Sequence, residues 1–282
     1  MRIVAVFIFA FCLLPCVFAD ALRIVGSPTV NLPVAEAAQI LRAERQMEIQ
    51  ISTTGGSSEG IAAIGEGLAH IGMSSRPVTP EDRAAYPDIV LTEIYLGEQV
   101  VALGVADDVW NGGVHALTRE QVRGIYESKT RNWHELGGPD EKIVFFNFEE
   151  GHGVWELFAQ WLYGEAKKAP LGRFPTVASD EETRNTLEFT PGSMAQSSPL
   201  AIDGKRSFAL ELKNDDGSAV APTPENIAAK KYPMAKPLFL IVNDKPTLAV
   251  KVFVDFMLGP RGQELMKKHG FYCADMLKPA TK

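Results

Sequence analysis

The sequence predicts an α/β fold, and three observations support that prediction. Short apolar segments with the alternation of strands recur between amphipathic segments with the spacing of helices. Loops rich in glycine and serine follow several of the strand-like segments, at 26–30, 55–58 and 74–76. The chain beyond residue 19 is about 260 residues long, which is enough for two lobes of ordinary domain size.

The first 19 residues have the composition of a secretory signal peptide. Arg2 gives a short positive segment, residues 3–17 are almost wholly apolar, and residues 17–19 (V-F-A) provide a small-residue cleavage site. The apolar run is short for a membrane-spanning helix, and no later stretch of the sequence reaches the required length. We therefore expect export to the periplasm through a cleaved signal peptide.

Cys16 allows an alternative in which the exported protein is a lipoprotein. A lipid-modified cysteine normally follows a small residue, whereas Pro15 precedes Cys16, so this alternative is less favoured. Cleavage after residue 19 would also remove Cys12 and leave Cys273 alone, so no internal disulfide is expected. The apolar neighbours of Cys273 indicate a buried structural thiol.

The charge of the chain excludes some classes of partner. The formal net charge is −7, and loss of Arg2 with the signal peptide lowers it by one, to −8. An acidic chain without basic clusters argues against binding to nucleic acid or to an anionic membrane surface. It leaves an anionic small ligand possible, because a local pocket can be positive on an acidic protein.

Residues 49–80 are the stretch around which the chain is organised. Alternating isoleucines at 49–51 predict a strand, and the glycines at 55–56 end it. Ser57 or Ser58 is then expected to cap a helix. The apolar face of that helix is expected to contain Ile61, Ile64 and Leu68.

A second strand at 71–73 ends at a second serine loop, Ser74-Ser75-Arg76. Hydroxyls and free backbone N–H groups at a helix start attract anions, and an arginine adds a planar donor fork. The alternative interpretation is ordinary turn chemistry with Arg76 as a surface charge. Two such loops within one short unit favour a shared pocket for an oxyanion.

The first strand, at 22–25, leads to a third polar loop at 26–30 and then to a helix near Pro33. Ligands of α/β folds bind beyond strand ends, near helix N-termini, so Ser27 and Thr29 are expected to face the same crevice. A plain N-cap role remains the alternative for these two residues.

The middle of the chain continues the alternation. Residues 95–106 predict one long buried strand, and Thr118 with Gln121 has the spacing of a capping box at a helix start. A strand at 142–147 precedes a glycine loop at 149–154 that opens a further helix. Later elements are a strand at 237–242, an amphipathic helix at 247–258 and a last helix at 261–269. Residues 165–184 have no clear pattern.

With these residues considered together, the chain resembles the substrate-binding proteins of phosphate ABC importers, in the periplasmic binding protein superfamily. Seven segments carry the resemblance in the family's order. They are 26–30 (G-S-P-T-V), 55–60 (G-G-S-S-E-G), 70–76 (H-I-G-M-S-S-R), 117–133 (L-T-R-E-Q-V-R-G-I-Y-E-S-K-T-R-N-W), 151–154 (G-H-G-V), 223–233 (T-P-E-N-I through Y-P) and 259–271 (G-P-R-G-Q-E-L-M-K-K-H-G-F).

The resemblance implies a two-lobed periplasmic-binding-protein fold, in which each lobe is a mixed sheet flanked by helices. Residues 20–102 with 238–282 would form lobe 1, and residues 103–237 would form lobe 2. Two crossing strands near Val100 and Leu240 would form the hinge between them.

The resemblance also implies a ligand site between the lobes. In the first lobe, Thr29, Val30, Ser57 and Ser75 fall on family ligand positions. In the second lobe, Phe148 replaces an arginine, and His152 and Val154 replace a serine and a threonine. The expected ligand set is Ser27, Thr29, Val30, Ser57, Ser58, Ser74, Ser75, Arg76, His152, Gly153 and Val154. His152 is expected either as a neutral loop residue or as a protonated substitute for the lost arginine.

The implied function is capture of phosphate or a related small oxyanion for an ABC permease, by a monomer without cofactor or metal. The alternative is a sensor or accessory protein of the same fold with altered or lost phosphate binding. An enzyme is disfavoured, because Glu149 and Glu150 beside His152 are adjacent acids on a loop, which are more often solvated than catalytic. The five histidines are also scattered without metal-ligand spacing.

Overall fold

The computed structural model describes residues 21–150, 152–170, 174–214 and 216–277. The predicted signal peptide and the lipoprotein alternative at Cys16 fall outside these residues. None of the helices within the described ranges is long and apolar enough to span a membrane.

Fourteen strands and ten α-helices alternate through the described residues. The strands are β1 (Leu22–Gly26), β2 (Ile49–Ser52), β3 (Ile71–Ser74), β4 (Thr92–Val100), β5 (Ala102–Ala106), β6 (Ala116–Thr118), β7 (Val144–Phe148), β8 (Thr176–Val177), β9 (Ser193–Ser197), β10 (Ser207–Ala209), β11 (Glu211–Lys213), β12 (Ala219–Val220), β13 (Ala235–Val242) and β14 (Tyr272–Cys273). The helices are α1 (Pro28–Arg45), α2 (Gly56–Gly65), α3 (Pro80–Ala85), α4 (Asp107–Asn111), α5 (Arg119–Tyr126), α6 (Gly153–Tyr163), α7 (Asp180–Phe189), α8 (Pro224–Ala228), α9 (Leu248–Leu258) and α10 (Pro260–Lys268).

The first lobe is built on a six-stranded mixed sheet in the order β14–β4–β13–β3–β1–β2. β1 pairs in parallel with β2 and β3, whereas β13 pairs antiparallel with β3 and β4. Neighbouring residues of β13 belong to different apolar clusters: Leu240 packs with α1, α9 and α10, and Ile241 packs with α2. Because side chains alternate across a strand, helices cover both faces of this sheet.

The second lobe contains a five-stranded sheet in the order β10–β5–β9–β7–β8 and a small sheet of β12, β11 and β6. The five-stranded sheet is also mixed, since β7 is parallel to β8 and β9 while β5 is antiparallel to β9 and β10. Its core is rich in aromatic residues and includes Trp133 and Phe158, both fully buried. The predicted two-lobed α/β fold with mixed sheets is confirmed.

The chain passes from one sheet to the other at residue 101. β4 pairs with β13 in the first sheet up to Val100, and β5 pairs with β9 and β10 in the second. Between them, the Val101 N–H donates to the Met234 carbonyl at 2.9 Å, just before β13 begins. The expectation of one long strand at 95–106 was therefore wrong. Residues on both sides of the break are buried, so the apolar pattern does not show where the partner sheet changes.

Two details of the predicted first-lobe helices were also wrong. Helix α1 begins at Pro28, five residues before Pro33, because the fixed φ of proline suits the first turn of a helix. Helix α2 has Gly55 at its N-cap, with no serine side chain in that role, and it ends before Leu68. Leu68 is consequently 60% exposed instead of buried.

Several other local predictions are confirmed. Thr118 and Gln121 form the capping box at the start of α5. The glycine loop opens helix α6, with His152 at its N-cap. Cys273 is buried as a free thiol. The segment without a clear pattern, 165–184, contributes β8 and the first half of α7.

Candidate functional site

A cavity of about 430 Å³ lies between the two lobes. Its wall is formed by the start of α1, the end of β4, the segments that lead into α6 and α7, Ser198 after β9, and the end of α10 with the segment that follows it. The lining residues are Pro28, Thr29, Leu32, Gln99, Val100, Phe148, His152, Gly153, Val154, Glu156, Ala178, Ser179, Asp180, Ser198, Lys268, His269, Gly270 and Phe271. The cavity thus receives groups from both lobes and from a strand that connects them.

The first turn of α1 contains Thr29 and Val30. The first four N–H groups of a helix have no partner within the helix, and together they carry a positive partial charge. Val30 is fully buried and is not among the residues that line the cavity. Thr29 lines the cavity directly.

Three of the predicted serines meet beside this turn. The Ser27 hydroxyl donates to Ser75 Oγ at 3.2 Å, and Ser57 Oγ lies 3.3 Å from Ser75 Oγ. The Ser75 N–H donates to Ser57 Oγ at 3.0 Å. This serine cluster (Ser27, Ser57 and Ser75) joins the carboxyl ends of β1 and β3 to the first turn of α2.

Close backbone packing makes the serine cluster possible. A Cβ added to Gly26, whose φ is +133°, would lie 2.2 Å from the Met73 carbonyl oxygen. A Cβ added to Gly60 would lie 2.6 Å from the same oxygen and 2.9 Å from the Val25 carbonyl oxygen. Since a side chain fits at neither position, two glycines hold α2 against the ends of β1 and β3.

Ser74, Ser58 and Arg76 have local partners. The buried Ser74 hydroxyl donates to the Arg76 carbonyl at 2.6 Å and accepts from its N–H at 3.2 Å, which closes the turn after β3. The Arg76 guanidinium forms two bonds to Asp82 and a third, at 3.2 Å, to Ser58 Oγ. Arg76 holds the pKa of Asp82 down, at about 2. None of Ser74, Ser58 and Arg76 is among the residues that line the cavity.

The second lobe brings His152, Gly153 and Val154 to the opposite wall. His152 caps α6, since its Nδ1 accepts the Val154 N–H at 3.3 Å. The imidazole stacks on the Phe148 ring with 4.7 Å between centroids. Burial lowers the pKa of the His152 imidazole below its ordinary value, and this favours the neutral alternative over a protonated substitute for arginine. The backbone of Gly153 lies close to the Gln99 side chain: a Cβ added to Gly153 would lie 2.8 Å from Gln99 Nε2.

Two carboxyl groups also reach the cavity. Asp180 Oδ1 accepts hydrogen bonds from the Ser197 hydroxyl and the Ser198 N–H, both at 3.2 Å. Burial raises the pKa of the Asp180 carboxyl, because the charged form loses solvation. Glu156 lies in the first turn of α6. Any anion in the cavity therefore needs a positive group that offsets these acids.

The structure thus places seven of the eleven predicted residues in two neighbouring groups. Thr29, His152, Gly153 and Val154 share the cavity wall. The serine cluster lies next to it, since Ser27 immediately precedes α1. Sequence reasoning missed Gln99 and Asp180, which line the cavity, and Lys236, whose Nζ lies 3.4 Å from Thr29 Oγ1. The sequence signal for Lys236 was a lone charge inside a strongly apolar strand.

Two lobes, joined by crossing strands around a cleft with helix N-termini on both sides, define a solute-binding protein. Comparison with known families agrees with this class. The family model described as the PBP superfamily domain matches residues 19–261, and the chain belongs to this superfamily.

Two relatives to which the chain is similar are named for phosphate binding. The chain is 26% identical over 245 residues to a phosphate-binding protein PstS from Bacillus subtilis (strain 168), covering 85% of this chain and 75% of that protein. It is 25% identical over 248 residues to a protein of the same name from Staphylococcus aureus (strain USA300), covering 84% of this chain and 74% of that protein.

Among solved structures, a putative phosphate ABC transporter substrate-binding protein with bound phosphate from Clostridium perfringens is 27% identical. It superposes with a TM-score of 0.57 over 90% of this chain and 100% of that chain. A possible phosphate binding protein from Planctomyces limnophilus superposes with a TM-score of 0.75 at 18% identity, over 90% and 93% of the two chains. The second likeness supports the fold alone.

Proposed function

We propose that this chain is a periplasmic solute-binding protein that holds phosphate or a related small oxyanion between its lobes. The observation that carries the proposal is that residues from the first turns of two helices, α1 and α6, line one cavity. Helix N-termini present unsatisfied N–H donors and a positive partial charge, and both stabilise a bound anion. Ligand contacts would come from Thr29 and the backbone of Gly153, with the serine cluster beside them. The Val154 N–H is already donated to His152 Nδ1, and Val30 is fully buried.

The names of the relatives support a transport role over the sensor or accessory alternative. The proteins reported above from Bacillus, Staphylococcus and Clostridium are named for phosphate binding or phosphate ABC transport. By the same reasoning, the partner of this chain is an ABC permease, which receives the ligand from the closed form of a monomer. The predicted signal peptide at 1–19 supports delivery to the periplasm.

Binding without catalysis also agrees with these relatives, which are binding proteins. The neutral His152 is used as a helix cap through Nδ1 and stacks on Phe148. This arrangement supports a role in shaping the cavity wall rather than in proton transfer to a substrate.

Titration calorimetry tests the proposal. The purified protein without residues 1–19 is titrated with phosphate, sulfate, methylphosphonate and acetate, and we expect saturable binding of at least one tetrahedral oxyanion. Thr29→Val keeps the shape of the side chain and removes one hydroxyl from the cavity, so affinity should fall about tenfold. Thr92→Val, at an exposed position that begins β4, is the matched control. Absence of heat with every anion would contradict the proposed function.

A further inference from the structure

Lys236 on β13 and Gln99 on β4 are direct cross-strand partners. Paired residues of an antiparallel ladder project from the same face of the sheet, so these two side chains emerge side by side. Lys236 Nζ reaches to 3.4 Å from Thr29 Oγ1 in the first turn of α1. The strands that link the lobes thus bring an amide to the wall of the cavity and a cation to within hydrogen-bonding distance of Thr29, which also lines it.

The Gln99 side chain is only 4% exposed and lines the cavity. Its Oε1 has no hydrogen-bond partner among the residues that the structure describes. A buried amide oxygen without a partner is costly, because the interaction with water has been lost and nothing replaces it. Gln99 therefore has both a free acceptor, Oε1, and a donor, the amide N–H₂ group near Gly153. A protonated oxyanion carries both complementary groups, a hydroxyl and negatively charged oxygens.

Lys236 differs from the other lysine beside the cavity. Lys268 Nζ is neutralised by Glu36 Oε1 at 2.6 Å, and His269 contacts the second oxygen of the same carboxylate. Within the described ranges, no ion pair joins Lys236 to a carboxylate. Burial lowers the pKa of the Lys236 ammonium, and the more distant charge of Glu156 opposes that effect. An anion in the cavity would stabilise this charge, since a half-buried cation without a counter-charge is less stable than one that has a counter-charge.

We propose that Lys236, with the Gln99 amide and the Thr29 hydroxyl, supplies the positive charge that holds the oxyanion in this cleft. The inference rests on the proposed function and names the side chains that would provide the charge and the hydrogen bonds for the anion. It explains how a chain with Phe148 in the second-lobe wall can balance an anion against Glu156 and Asp180.

The test is calorimetry with inorganic phosphate, or with the oxyanion that binds the unmodified protein most tightly. Lys236→Met keeps the length of the side chain and removes its charge, and it should weaken binding by 30-fold or more. Lys245→Met removes a lysine at an exposed turn residue and is the matched control, with no expected change. If Lys236→Met binds as tightly as the unmodified protein, the inference fails while the proposed function stands.

Gln99→Met provides a second test if Lys236→Met does not fold. Gln99→Met removes both polar atoms of the amide and should weaken binding at least tenfold, without loss of thermal stability in the absence of ligand. Unchanged affinity in Gln99→Met would overturn the proposed subsite. If the unmodified protein binds no oxyanion at all, the proposed function and the inference fail together.

Discussion

Arg76 and Asp82 form a two-pronged ion pair, with 2.5 Å between Nη1 and Oδ2 and 3.1 Å between Nη2 and Oδ1. Asp82 Oδ2 also accepts the Thr79 N–H at 2.8 Å, so the same carboxylate caps helix α3. The pair ties the loop after β3, which carries Ser75, to the start of α3. The arginine expected to bind the ligand is thus already engaged by a carboxylate.

The first prediction follows from this pair. Arg76→Gln and Asp82→Asn should each lower the free energy of unfolding at pH 7 by about 1 kcal/mol, since both side chains are partly screened by solvent. A double-mutant cycle measured by urea unfolding should show a coupling above ~0.5 kcal/mol. The more exposed pair Arg83–Glu93 provides the control and should couple more weakly. Additive losses for Arg76 and Asp82 would contradict this prediction.

The second prediction concerns Glu98 in β4. Its carboxylate accepts the Tyr95 hydroxyl at 2.9 Å, and burial raises the pKa of Glu98 to about 7. Because the pKa is higher in the folded state than in the unfolded state, folding favours the protonated form. This contribution is complete below the unfolded-state pKa and is lost as the pH rises through about 7.

The free energy of unfolding of the unmodified protein should therefore fall by roughly 2–3 kcal/mol between pH 4.5 and pH 8. Glu98→Gln should abolish this fall. Glutamine keeps an acceptor for Tyr95 and cannot ionise. The measurement is the free energy of unfolding across this pH range for both proteins. Parallel curves would show that Glu98 does not titrate as expected.

The third prediction tests the close packing under the serine cluster. Gly60→Ala places a methyl group against two backbone carbonyls and should destabilise the fold by about 1–3 kcal/mol, although alanine is the better helix former. Gly124→Ala in α5 is the matched control. Its nearest neighbour is the Thr130 hydroxyl, which can rotate away, so that variant should be neutral or slightly stabilising. Equal stability changes in the two variants would contradict the packing argument.

The fourth prediction concerns His152. Burial lowers the pKa of its imidazole, opposed by the charges of Asp180, Glu149 and Glu156, so the ring should stay neutral between pH 7 and pH 8. Ligand affinity over that range should then follow the ionisation of the oxyanion alone. Calorimetry on His152→Asn, which preserves a helix-capping side chain, should give the same pH profile as the unmodified protein. A pH dependence that disappears in the variant would show that His152 titrates on binding.

Much of the local structure in both lobes could be predicted from sequence pattern. Local sequence pattern predicts the strands at 22–25 and 71–73, the serine loops and the capping box at Thr118, because each depends on residues that are close in sequence. The break at Val101 could not be predicted in this way. It depends on which distant strand pairs with each half of the apolar run, and both halves are buried.

The features of the candidate site fall into the same two classes, those set by neighbours in sequence and those set by tertiary contacts. Residue type and order alone determined the superfamily, the polar loops at strand ends and the glycine loop before α6, because these are features of contiguous segments. Only the tertiary structure decided that Arg76 pairs with Asp82 and that Lys236 reaches Thr29, a residue 207 positions away in the chain. The physical reason is that a charged side chain takes the partner that folding brings within hydrogen-bonding distance, and sequence order does not encode that distance.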